Sequence, residues 1–322
     1  MAHCYHAERL DIKYEHNRIY FGPECCIEDA RQWQQALTDK MSVPLPPTLD
    51  EFIAKANYYL DTYAKLNDCL SCDCPYAETV DYSCHDFRFV KVDIDGSCNF
   101  NCRHCCVDPR TRIYDPKRRQ AQLLCQDWCR QHANTVHLTT RGEPFVSGAN
   151  GYTAHWLRSL TAADRLKTVF ALSNYSLLTP ELLDELCGYL HSQGKKLYVL
   201  ASCDAFEEEH YRQIRRGGNF QQVVHNMKYA SERGVLLSIN YVFMPWNEEI
   251  TDTIGEQLLS LGFDPQRLSI CLIPYHANNY NYRSTIFDVH GNIINSHFRN
   301  GQESLRRCGF SFIVNTIGKK KE

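Results

Sequence analysis

Three cysteines stand close together in the segment Cys98-Asn-Phe-Asn-Cys102-Arg-His-Cys105, a C-x3-C-x2-C spacing. Thiolates this near one another on one loop can hold three corners of an iron–sulfur cube. The cube needs four ligands, so one iron is left without a side chain. Structural zinc is the competing chemistry, but it closes with four protein ligands, often as two C-x2-C pairs, and a lone triplet is the wrong shape for it. A thiol redox loop would use a C-x2-C pair at a helix start, which Cys102 and Cys105 could imitate, but Cys98 would then have no purpose.

The elements that must position this loop are readable nearby. From about residue 87 the chain alternates strand, loop and helix. Short apolar or β-branched runs occur at 89–94, 135–138, 168–172, 197–201, 236–242 and 268–273. Segments of helical periodicity lie between most of them, such as 180–191, with Thr179 as its cap, and 220–232. Such alternation predicts an α/β fold with a parallel sheet and helices on its outer face. Six strands over this length fit an open, partial (β/α)6 barrel better than a closed eight-stranded one. Functional groups should gather at the carboxyl ends of the strands.

Composition sets limits. The chain has 322 residues, 43% hydrophobic and 23% charged, which is enough for a normal core. A net charge of -3 argues against nucleic-acid binding by a generally basic surface. The first thirty residues have no apolar signal core and no run that would span a membrane, so a cytoplasmic location is expected. Cytoplasmic thiols are kept reduced, so the clustered members of the 17 cysteines read as metal or redox ligands.

The cysteine loop, set directly after a strand, resembles the signature of the radical SAM superfamily. The resemblance implies a 4Fe-4S cluster on Cys98, Cys102 and Cys105, with S-adenosyl-L-methionine chelating the open iron. It further implies reductive cleavage of that cosubstrate to a 5′-deoxyadenosyl radical, which takes a hydrogen atom from substrate, and a low-potential electron donor such as a flavodoxin or ferredoxin. Downstream matches fall at predicted strand ends. Thr140-Arg141-Gly142-Glu143-Pro144 is similar to the family's Gly-Gly-Glu-Pro turn, which assigns Gly142 and Glu143 to the methionine ammonium; Arg141 replaces the first glycine. Ser173-Asn174-Tyr175 is similar to the Thr-Asn-Gly that approaches the ribose, with the glycine lost. Ser202 corresponds to a serine facing the ribose hydroxyls. Arg215, preferred to Arg216, corresponds to an arginine that pairs with the methionine carboxylate, a role suited to a bidentate guanidinium. Asn240 and Asn247 resemble amides near the adenosyl group, and His104 takes the place of an aromatic beside adenine. These matches span residues 87–275, read as the barrel domain, with 276–322 as a C-terminal extension.

Residues 1–86 read differently. Alternation over 10–14 and 18–21 suggests a hairpin that brings Cys4 towards Cys25. A helix beginning after Thr48, with Glu51 three residues on, leads to Cys69-Leu-Ser-Cys72-Asp-Cys74. The layout resembles a SPASM-type auxiliary-cluster module placed before the barrel instead of after it. Cys4, Cys25, Cys69 and Cys72 are the preferred ligands, with Cys26, Cys74 and Cys84 as substitutes. An auxiliary 4Fe-4S cluster is the expected occupant and zinc the alternative, since thiolates suit both. Peptide modification is the expected reaction class, against dehydrogenation or epimerisation of a sugar or other small molecule; a zinc-binding structural protein is the reading from another class. A thiol that donates a hydrogen atom would favour epimerisation, and Cys271 and Cys308 are its candidates.

Overall fold

A computed structural model describes residues 3–4, 9–15, 18–23, 42–44, 48, 50–55, 77–78, 87–105, 107, 113–138, 142–277, 280–281, 283–288 and 290–314. Its main feature is a ten-stranded sheet. In chain order the strands are β1 (Arg9–Glu15), β2 (Arg18–Pro23), β3 (Ser42–Pro44), β4 (Phe87–Asp93), β5 (Ala133–Leu138), β6 (Thr168–Ser173), β7 (Lys196–Ser202), β8 (Ser238–Phe243), β9 (Ser269–Pro274) and β10 (Ser311–Val314). Strands β4 to β10 lie side by side in chain order, and each neighbouring pair is parallel. This is the expected α/β architecture with an open, partial barrel.

The connecting helices are α1 (Pro116–His132), α2 (Tyr152–Ser159), α3 (Pro180–Ser192), α4 (Glu208–Ile214), α5 (Phe220–Glu232), α6 (Ile254–Ser260) and α7 (Ser296–Arg307). Their starts follow from capping chemistry. Thr179 accepts from Leu182 N ahead of α3, Asn219 from Gln222 N ahead of α5, and Asp115 from Lys117 N ahead of α1, where Pro116 loses no hydrogen bond. Burial alternates strictly along β6, β7 and β8. In β6 the buried series is Val169, Ala171 and Ser173, and in β7 it is Leu197, Val199 and Ala201. That series packs beneath the helices, whose inner stripes are apolar: Leu182, Leu183, Leu186 and Leu190 of α3 are all buried. Each such leucine contributes about 1.5–3 kcal/mol by leaving water. The half-buried series lines the other, concave face, where Phe170 stacks on Tyr198 with ring centroids 5.2 Å apart.

All six predicted barrel strands are present, with starts moved by up to two residues: the strands expected from 89, 135 and 236 begin at Phe87, Ala133 and Ser238. Two features extend the sheet beyond expectation. The predicted hairpin forms, but β1 also pairs in parallel with β4, Arg9 opposite Phe89, so hydrogen bonding crosses residue 86. At the other end β10 pairs with β9, and hydrogen bonding continues past residue 275. Neither pairing leaves a local trace, because partners lie dozens of residues apart. The capping box at the N-terminal helix is as expected: Glu51 N donates to Thr48 Oγ1 at 3.2 Å, while Thr48 N donates to Glu51 Oε2 at 2.8 Å.

Candidate active site

The site is built on the carboxyl ends of β4 to β8. After β4 the chain turns through Asp95, whose buried carboxylate accepts from Ser97 N at 3.1 Å and Ser97 Oγ at 2.8 Å. Arg119 of α1 holds the other oxygen at 3.3 Å. The cysteine loop follows. It lies along the end of α4, with Asn101 N donating to Arg216 O and Arg103 N to Ile214 O, both at 2.8 Å. Gly217 and Gly218 make room for it; a Cβ on Gly218 would stand 2.7 Å from the Phe100 ring. Arg103 stacks over Trp246, its guanidinium carbon 4.2 Å from the ring centroid.

Cys98, Cys102 and Cys105 are free thiols, all half-buried. They are near enough for Cys102 and Cys105 to raise the Cys98 thiol further, but burial is the main cause that pushes it up to about 12. A thiol so placed becomes a ligand when a cation replaces its proton. Among the described residues no three His, Cys, Asp or Glu groups converge as they would on a single metal ion. A cube takes each thiolate on a different iron, so three free thiols on one loop fit a cluster better than a mononuclear site.

Beside the loop, Glu143 N donates to Ser97 O at 2.8 Å. This contact requires the glycine before it: a Cβ on Gly142 would lie 2.0 Å from Ser97 O and 2.6 Å from Gly96 O. The Glu143 carboxylate is buried, and burial pushes it up to about 7 against hydrogen bonds from Asn174, Phe145 and Ser173. Asn174 N donates to Oε2 at 2.7 Å; Ser173 Oγ and Phe145 N donate to Oε1 at 2.8 and 3.0 Å. Of about four acceptor sites on a carboxylate, these occupy three, and the remaining one suits an ammonium donor.

The β6 turn is tied to the cysteine loop through Asn99: Asn174 Nδ2 donates to Asn99 Oδ1 at 3.0 Å, and Asn99 Nδ2 to Ser176 Oγ at 2.8 Å. Tyr175, in the place of a glycine, keeps the left-handed backbone of one, with φ of 60°. Its fully buried ring and the bond from its hydroxyl to Val199 O at 2.6 Å compensate that strain.

At the end of β7, half-buried Ser202 stands opposite Asn240 of β8, and Asn240 stands opposite Cys271 of β9. These three share one row on the concave face. Arg215 is buried and Arg216 exposed, which favours the former as the cosubstrate arginine. Arg215 Nε donates to Asp204 Oδ2 at 2.7 Å, and among the described residues its Nη groups make no hydrogen bond. His104 is anchored to the same oxygen, Nε2 lying 3.3 Å away. Asp204 itself was not singled out by the sequence, because its role depends on contacts with three other segments.

Two expected residues are placed elsewhere. Asn247 is spent on structure, donating to Asp204 O and Val242 O and accepting from Met244 N. Cys308 caps α7 in the outer layer, where a Cβ on Gly255 would lie 3.0 Å from its own Cβ, and it does not reach the strand ends. Arg141, Cys106, Cys25, Cys26, Cys69, Cys72, Cys74 and Cys84 lie outside the described residues. Cys4 is described in its backbone alone, which pairs with Ala77.

Comparison with known proteins bears on the family of the chain. The family model of the radical SAM superfamily matches residues 95–256. A GTP 3′,8-cyclase of Rhizobium etli (strain CIAT 652) is 25% identical over 161 residues, covering 48% of this chain and 43% of the relative. One from Sinorhizobium medicae (strain WSM419) is 26% identical over 180 residues, covering 53% and 48%. The chain thus spans somewhat under half the length of these curated relatives. Among solved structures, Streptococcus suis SuiB bound to precursor peptide SuiA aligns with a TM-score of 0.46 and 13% identity, covering 90% of this chain and 62% of that one. With the matched stretch taking in the cysteine loop, the Gly142-Glu143 turn and the ends of β6 to β8, the chain belongs to the radical SAM superfamily.

Proposed function

We propose that this chain holds a 4Fe-4S cluster on Cys98, Cys102 and Cys105, binds S-adenosyl-L-methionine across the ends of β5 to β8, and modifies a peptide. The bound pair supplies a carbon radical that removes a hydrogen atom from substrate. The protein's own residues supply the seats. Glu143 offers a buried acceptor for the cosubstrate's ammonium, the Nη groups of Arg215 its carboxylate, Ser173, Asn174 and Ser202 its ribose, and His104 and Asn240 its adenine side. The observation that carries this reading is the lock of Gly142 and Glu143 against Ser97. It fixes an acidic seat one residue from the first cysteine of the loop.

A peptide substrate is favoured by the open side of the barrel. Among the described residues β10 has a partner on one side alone, and Ile313 is 63% exposed there. An unpaired strand edge can receive an extended chain through main-chain hydrogen bonds. The second reading, a small-molecule substrate, is favoured by the curated relatives, which are named for a reaction on GTP. Within either reading Cys271, on the row of Ser202 and Asn240, would serve as hydrogen-atom donor in an epimerisation. Burial raises its thiol, which keeps the hydrogen in place. An auxiliary cluster on Cys4, Cys25, Cys69 and Cys72 would bind substrate or accept an electron, and a flavodoxin or ferredoxin would reduce the protein.

The test is anaerobic reconstitution with dithionite. Wild type should release 5′-deoxyadenosine, and Cys102→Ala should release none; retained release would refute the cluster assignment. Deuterium placed on candidate peptides should appear in 5′-deoxyadenosine. Transfer from a sugar or nucleotide alone would replace the peptide reading with the second one. Iron content near eight per chain would indicate two cubes, and about four would leave the N-terminal cysteines to zinc or to no metal.

A further inference from the structure

Asp204 joins three segments that the family resemblance treats separately. Its side chain is fully buried. One carboxylate oxygen, Oδ2, receives Arg215 Nε at 2.7 Å and faces His104 Nε2 at 3.3 Å; the other receives Val242 N of β8 at 2.9 Å. Its main-chain carbonyl accepts from Asn247 Nδ2 at 2.9 Å. The aspartate is therefore fixed by β8 and the turn after it, while the groups it holds come from the cysteine loop and from the end of α4. The same two segments are already zipped together by the Asn101–Arg216 and Arg103–Ile214 backbone bonds.

A buried charge is costly unless its partners are well placed, and an apolar cluster would hold these segments at lower cost. The manner of pairing indicates another use. Arg215 is gripped by Nε, the one guanidinium nitrogen that cannot contribute to an end-on fork. Both Nη groups are left for a ligand carboxylate, and gripping Nε removes the rotamer freedom that such a ligand would otherwise have to freeze. His104, between Cys102 and Cys105, is oriented by the same oxygen, so the ring and the fork are set together.

We propose that Asp204 is a positioning residue for S-adenosyl-L-methionine: it presents the Nη fork of Arg215 to the cosubstrate's carboxylate and ties that fork to the cysteine loop through His104. This rests on the functional reading above, and cosubstrate binding can be measured apart from turnover.

The variants are Asp204→Asn, His104→Phe, the double variant and Arg215→Lys, each reconstituted anaerobically. The readouts are iron and sulfide content, the dissociation constant for S-adenosyl-L-methionine by equilibrium dialysis, and the change that the cosubstrate makes in the electron paramagnetic resonance spectrum of the reduced cluster. Asp204→Asn should keep wild-type iron, weaken binding at least tenfold and blunt the spectral change. His104→Phe should weaken binding alone but add little to Asp204→Asn. Arg215→Lys keeps a cation for Asp204 but lacks the fork, and it should weaken binding likewise; it decides the matter if Asp204→Asn fails to fold. Wild-type affinity and an undiminished spectral change in Asp204→Asn, or in Arg215→Lys should the former not fold, overturn the proposal. Absence of binding by the wild type overturns both this role and the reading beneath it.

Discussion

Replacing Gly142 with alanine adds one carbon at the most crowded contact of the site. The new Cβ would stand 2.0 Å from Ser97 O, 2.5 Å from Ser97 C and 2.6 Å from Gly96 O, all of them backbone. No side-chain rotation relieves such a clash, so about 1 Å of main-chain movement is required to reach even the closest tolerated separation. Absorbing it by angle strain costs about 4 kcal/mol for a 15° distortion. Moving the loop instead gives up the bond from Glu143 N to Ser97 O, worth about 1 kcal/mol, and adds overpacking of about 1–3 kcal/mol. The two routes bracket the loss at about 2–4 kcal/mol. At about 1.5 °C per kcal/mol for a chain of 322 residues, the melting temperature should fall by about 3–6 °C. Ser97 precedes Cys98, so the displaced loop should also assemble its cluster poorly. Circular dichroism melts and iron content of Gly142→Ala would check both effects. A melting temperature within about 1 °C of wild type, with full iron, would refute the close approach of these two turns.

Two further outcomes follow from single side chains. Glu143 has its carboxyl raised to about 7, chiefly by burial, so the folded protein keeps a proton that the unfolded chain has already lost. The contribution of Glu143 to the stability of the cluster-free protein should be full below the ordinary carboxylate range and be lost as pH rises through about 7. Denaturant melts at pH 5 and 7.5 should show this decline in wild type and a flatter profile in Glu143→Gln; equal slopes would count against it. For Tyr175, removal of the hydroxyl in Tyr175→Phe gives up the bond to Val199 O and should cost about 1 kcal/mol. Tyr175→Ala also empties a fully buried site and should cost about 3–5 kcal/mol by denaturant melts; near-equal costs would show that the ring packs loosely.

The sequence by itself determined what is local. Short apolar or β-branched runs marked each barrel strand, Thr179 and Thr48 marked helix starts through their own side chains, and the cysteine spacing indicated both an iron–sulfur site and its family. The Gly142-Glu143 turn and Ser173-Asn174 were legible for the same reason, as short motifs at strand ends. Tertiary structure decided what depends on segments far apart in the chain. It joined β1 to β4 and β10 to β9, set Arg215 in the interior and Arg216 outside, and gathered Arg215, His104 and Val242 around Asp204. It also placed Cys271 on the row of Ser202 and Asn240 and left Cys308 in the outer layer. Periodicity and capping record the interactions of a residue with its neighbours in the chain. A buried carboxylate shared by three segments depends on how those segments pack, and their packing is set by the whole sheet.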